Sequence, residues 1–90
     1  MTSIQLINAI LADDASRIRT LSAQGANLND MEGGHFPPLL KAVMCGKVKA
    51  IQALIDCGAD KNAVDKQGRT ALDWATQCNQ QQIIDILRQN

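Results

Sequence analysis

Three cysteines, one histidine and a short run of lysines are the residues of this chain whose chemistry could go beyond packing. A thiol can pair with another thiol, ligate a metal or attack a carbonyl, and each of these needs a partner at a fixed distance. His35 is the only imidazole, and neither a serine nor Cys45, Cys57 or Cys78 stands beside it in a nucleophile–base arrangement. A lone histidine in a glycine-rich stretch is read as solvent-exposed or locally hydrogen-bonded, not as a metal ligand. Paired histidines and a glycine-rich phosphate loop are both missing from the sequence. Asp73 follows Thr70 by three residues at the start of an apolar run, the pattern of a helix capping box, which outweighs a catalytic role. Lys41, Lys47 and Lys49 form the only local basic cluster. With nine basic and nine acidic residues the formal net charge is zero, so nothing draws the chain generally to nucleic acid or an acidic membrane, and the cluster reads as a solvated helix face. The expectation is a protein with no enzymatic activity, cofactor or metal.

The elements that carry these residues are short helices. Leu39 to Asn62 reads as two of them, divided by Gly46 and ended by Gly58. Leu39, Leu40, Ala42 and Val43 make the first apolar stripe, and Val48, Ile51, Leu54 and Ile55 make the second at three-to-four-residue spacing. Isolated helices below about 12 residues are marginal in water, so this hairpin needs neighbours on both flanks. Those neighbours are copies of it. Gly25-Ala26-Asn27-Leu28-Asn29 recurs as Gly58-Ala59-Asp60-Lys61-Asn62, an interval of 33 residues. The same interval relates Leu6, Leu39 and Leu72, as it does Ile18, Ile51 and Ile84. Cys45 and Cys78 also obey it, so they sit at equivalent places on units whose helices pack about 8 to 10 Å apart. A disulfide needs Cα atoms within about 7 Å. Cys57 lies at the far end of the second helix, and three reduced thiols are the expected state.

A 33-residue period with Pro37-Pro38-Leu39-Leu40-Lys41-Ala42 and Thr70-Ala71-Leu72-Asp73-Trp74-Ala75 resembles the ankyrin repeats, whose motif is T-P-L-H-x-A. Asp65-Lys66-Gln67-Gly68-Arg69-Thr70 resembles the loop leading into that motif, and the two Gly-Ala-(Asn/Asp)-x-Asn segments resemble its exit. The resemblance implies an all-α solenoid of about three stacked helix pairs with β-hairpin-like finger loops. It also implies a non-catalytic scaffold that binds another protein through finger tips and the concave side of the first helix of each pair. Carried onto this sequence, the finger positions are Met31, Gly33, Gly34 and Phe36, then Val64, Lys66, Gln67 and Arg69. The helix positions are Met44, Cys45, Gln77 and Cys78, with Trp74 near the edge, where covering the core competes with meeting a partner. Alternatives are an inhibitor or immunity-type protein that masks an enzyme, and a redox-active thiol protein recognisable by one abnormally fast cysteine. Pro37 and Leu40 depart from the motif, and Pro37 has no oxygen with which to cap the following helix.

In chain order, Thr2-Ser3-Ile4-Gln5 has the form of a capping box, and Ile4, Ile7, Ile10 and Leu11 supply the apolar side of a first helix. Asp14 is a natural cap for the second. Asp13, Gly46 and Asn79 fall at equivalent turns, and all three types tolerate a left-handed backbone. Helices are expected near residues 3 to 11, 14 to 24, 38 to 45, 47 to 56, 71 to 78 and 80 to 89. Residues 1–90 form one domain: a capping repeat over 1–29, a central repeat over 30–62 and a glutamine-rich C-terminal capping repeat over 63–90. With hydrophobic residues at 46% and only Phe36 and Trp74 aromatic, the core is built from Ala, Leu, Ile and Val. The first residues do not read as a secretory signal and no run is long enough to span a bilayer, which points to the cytosol of the producing cell or of a cell receiving the protein; a monomer is expected.

Overall fold

The computed structural model describes residues 2–28 and 37–89, with the side chains of 4–28 and 37–88. Met31, Gly33, Gly34, His35 and Phe36 lie outside the described residues. Among the described residues six helices follow in order: α1 (Thr2–Leu11), α2 (Ala15–Ala23), α3 (Pro38–Met44), α4 (Val48–Asp56), α5 (Ala71–Gln77) and α6 (Gln81–Gln89). Each boundary lies within a residue of its sequence expectation. Pairs α1–α2, α3–α4 and α5–α6 are hairpins. Across pairs, α1, α3 and α5 pack in one row and α2, α4 and α6 in a second. The finger before α5 leads into the first row, which is called the inner row below.

Every described hairpin turn is made the same way. Asp13, Gly46 and Asn79 have φ of 55°, 69° and 57°, and the N–H of the next residue donates to the carbonyl of Ala9, Ala42 and Ala75 in turn. Reversing the chain into a left-handed residue satisfies carbonyls that the helix end would leave open. Gly25 and Gly58, with φ of 94° and 97°, end the outer helices α2 and α4 with the same bond, from Ala26 to Leu21 and from Ala59 to Leu54.

Starts are less uniform. Asp14 accepts from the Arg17 N–H and caps α2 as expected. Thr70 and Asp73 complete a reciprocal capping box on α5. α3 begins with Pro38 behind Pro37 and has no side-chain cap. For α4 the cap comes from another unit: the Asp13 carboxylate, 37 residues earlier, accepts from the Ala50 N–H at 2.9 Å. One residue thus turns the first hairpin and caps the second.

The core is one continuous cluster of aliphatic side chains. Leu39, Leu40, Ala42 and Val43 are buried as the stripe predicts, and Ala50 and Ala53 join Ile51 and Leu54 where two helices must approach closely. The first helix corrects its expected apolar side. Leu6, Ala9 and Ile10 face the core, while Ile4 and Leu11 are 69% and 46% exposed. Leu11 ends α1 as Met44 ends α3, and Met44 is 39% exposed although α3 packs against both α1 and α5, so the exposure of Leu11 belongs to the helix end and does not need a missing neighbour. At the other end, Leu72 is 39% exposed where Leu6 and Leu39 are each 1% exposed, because no unit stacks beyond α5 to cover it.

Candidate functional surface

The second finger is built around a buried carboxylate. Val64 and Thr70 form an antiparallel bridge, the Asp65 N–H donates to the Arg69 carbonyl at 3.0 Å, and the Gly68 N–H returns to the Asp65 carbonyl at 3.0 Å. Gly68 takes φ of 79°, the left-handed position that closes a three-residue hairpin loop. Inside this loop Asp65 Oδ1 accepts from the N–H groups of Gln67 and Arg69 at 2.8 and 2.9 Å. Its Oδ2 accepts from the Trp74 indole N–H at 3.0 Å. Burial alone raises the Asp65 carboxyl, but the Arg69 N–H, the Trp74 indole, the Gln67 N–H and the Arg69 charge outweigh it and hold the group below its ordinary value of 3.8. The Arg69 guanidinium lies 5.2 Å from the Trp74 ring centroid, a cation–π contact on the side chain that Asp65 anchors. Trp74 is therefore a brace between finger and helix. The sequence signals for this were Asp65 three residues before Gly68, and Trp74 one turn into the next helix.

The predicted helix positions gather at one end of the inner row. Met44 is the last residue of α3 and Cys45 its C-cap; Gln77 is the last residue of α5 and Cys78 its C-cap. All four are exposed, on helices that pack directly. Leu11 and Ala12 hold the same register on α1 and are exposed too, an extension of the strip that sequence reading assigned to the core of the first helix. The result is two parallel rows, Leu11–Met44–Gln77 and Ala12–Cys45–Cys78. Met44 is 39% exposed and Leu11 46%, whereas most other apolar side chains of α1 and α3 are buried. Lys66 and Gln67 sit at the finger tip and are exposed, as is Val64. Arg69 and Trp74 are half-buried, engaged with each other and with Asp65.

Cys45 and Cys78 are exposed thiols and Cys57 a half-buried one. Among the described residues no three histidine, cysteine or acidic side chains converge to hold a metal, and no helix is long and apolar enough to cross a membrane. The lysine cluster is split: Lys41 lies on α3, Lys47 precedes α4 and Lys49 lies on α4.

Comparison with known proteins agrees with this architecture. The family model for ankyrin repeats, in three copies, matches residues 6–90. The chain is 29% identical over 82 residues to the potassium channel KOR1 of Oryza sativa subsp. japonica, covering 91% of this chain and 10% of the channel. It is 38% identical over 53 residues to the neurogenic locus notch homolog protein 1 of Danio rerio, covering 59% of this chain and 2% of that protein. The chain thus spans a tenth or less of the length of these relatives. Repeat period, helix pairs, finger and turn chemistry, and the match along the chain lead to one statement of kinship: this protein belongs to the ankyrin-repeat family.

Proposed function

We propose that the chain is a non-catalytic binding module that holds a partner protein against the inner row and the second finger, acting as a monomer in the cytosol. Ankyrin repeats generally mediate protein–protein interaction, and the observation that carries the reading here is local. Leu11 and Met44 are large apolar side chains left exposed at the same register of adjacent inner helices, beside the exposed Cys45 and Cys78. An apolar strip rimmed by polar groups has the anatomy of an interface core. Met44 suits it, because an unbranched thioether adapts to the surface it meets. The reading also takes in Met31 and Phe36 of the first finger, Lys66, Gln67 and Arg69 of the second, and Trp74 and Gln77.

Leu11→Ala combined with Met44→Ala is expected to weaken partner binding by about 2 kcal/mol or more with little change in thermal midpoint. Lys49→Ala with Gln52→Ala, on the outer row, leaves binding intact. Titration calorimetry against the captured partner reads both, and loss confined to the outer pair would move the site to the opposite side of the molecule.

A further inference from the structure

The two junctions inside the array show what a following unit covers, and the α5–α6 end can be compared with them position by position. Leu6, Ile10 and Ile18 in the first unit and Leu39, Val43 and Ile51 in the second are buried. At the same register in the third unit, Leu72 and Thr76 are exposed and Ile84 is half-buried. Leu72 and Ile84 keep the apolar type, and Thr76 keeps the branched shape of Val43 while adding a hydroxyl. The turn residue repeats the pattern. Asp13, left-handed at φ of 55°, reaches forward to accept from the Ala50 N–H, on an outer helix with no side-chain cap of its own. Gly46 has no side chain to offer. Asn79, left-handed at φ of 57°, again carries a side-chain oxygen at this place, exposed and with no described helix beyond it to cap.

The α1–α2 end is built differently. Gln5 is exposed where Pro38 and Ala71 are buried. Ala50 and Ala53 of α4 are buried, but the same places on α2 hold Arg17 and Thr20, both exposed. The Arg17 N–H is already taken by Asp14. A guanidinium where two helices must approach closely obstructs stacking, so the first unit of a second copy does not fit the opposite end. We propose that the α5–α6 end is a second docking surface, separate from the inner-row strip, and that its occupant is the first helix pair of another ankyrin-type protein. That pair has small residues at the third and sixth positions of its outer helix and no side-chain cap of its own, as α4 has. It covers Leu72 and Ile84, and Asn79 caps its outer helix as Asp13 caps α4. The closed C-terminal cap expected over 63–90 does not extend to this face.

The test uses the intact chain as host and a labelled full-length copy of it as probe. The probe carries Asp14→Lys, Arg17→Ala and Thr20→Ala, the residues that α4 has in Lys47, Ala50 and Ala53, and Leu72→Asp to close its own far end. In sedimentation velocity the host alone is expected to be a monomer and the mixture a one-to-one complex. Leu72→Asp in the host is expected to weaken the complex about tenfold or more, because it buries an unpaired charge. Asn79→Gly, which keeps the left-handed turn, is expected to weaken it about fivefold. Leu11→Ala with Met44→Ala in the host leaves it intact. Circular dichroism checks the fold of each variant; if Asp14→Lys unfolds the probe, the version retaining Asp14 replaces it and is expected to depend on Leu72 but not on Asn79. No complex at concentrations up to about 1 mM overturns the proposal, as does a complex indifferent to Leu72→Asp. Association of the host with itself, lost in Leu72→Asp, overturns it in favour of a second copy as occupant. Loss confined to the Leu11 and Met44 variant overturns it in favour of the inner row.

Discussion

At the scale of single residues, Asp65 organises more of the second finger than any side chain the motifs singled out. It fixes the finger backbone through two N–H groups and the inner helix through Trp74. Its pKa is lowered on folding, so the stability it contributes is fully present above the ordinary value of 3.8 and is lost as pH falls through the lower folded value. Asp65→Asn removes the titration and also sets an amide N–H₂ against either the indole or the backbone donors. The variant is expected to show a lower thermal midpoint at neutral pH and a flatter decline of that midpoint below about pH 4 than the parent. An unchanged acid limb would mean that other carboxylates dominate there. The sequence showed Thr70 and Asp73 as a capping box because both partners lie within one turn. It did not show Asp65 as buried, because its partners include an indole nine residues away that only the folded finger brings within reach.

At the scale of elements, helix ends were legible and helix surroundings were not. Left-handed turns at Asp13, Gly46 and Asn79 follow from residue type and spacing, and so does the missing cap at Pro37. The cap that Asp13 supplies to α4 does not, since it joins residues 37 apart. It makes a specific expectation. Asp13→Gly keeps the backbone conformation, which Gly46 adopts at the equivalent turn, and deletes only the carboxylate. We expect a loss of about 1 kcal/mol in urea unfolding, the usual worth of a helix cap. Asp14→Gly removes the cap on α2 within its own unit and is expected to cost less, because glycine itself serves tolerably at a cap position. The exposed Ile4 and Leu11 mark the other limit of sequence reading: periodicity finds an apolar side, but which part of it other elements cover is decided by the packing of the whole array.

At the scale of the whole molecule, three units in a row leave a central pair packed on both sides and two ends packed on one. Sequence equivalence suggests comparing Leu54 with Leu87, yet Leu87 is only 8% exposed and nearly as buried as its counterpart. The discriminating pair is Leu39 and Leu72. Leu39→Ala is expected to cost about 2 to 5 kcal/mol and to threaten folding of so short an array, whereas Leu72→Ala, already 39% exposed, is expected to cost under about 1 kcal/mol. Equal losses by chemical denaturation would contradict a linear stack. The one tryptophan stands in the last unit, half-buried between Arg69 and Asp65. Its fluorescence is therefore an optical probe of one end of the molecule, while far-ultraviolet circular dichroism averages all six helices. Coincident unfolding curves from the two would mean that the chain melts as a single cooperative block. A tryptophan transition running ahead of the helical one would mean that the end peels away first, and the gap between the midpoints would measure how strongly each unit grips the next.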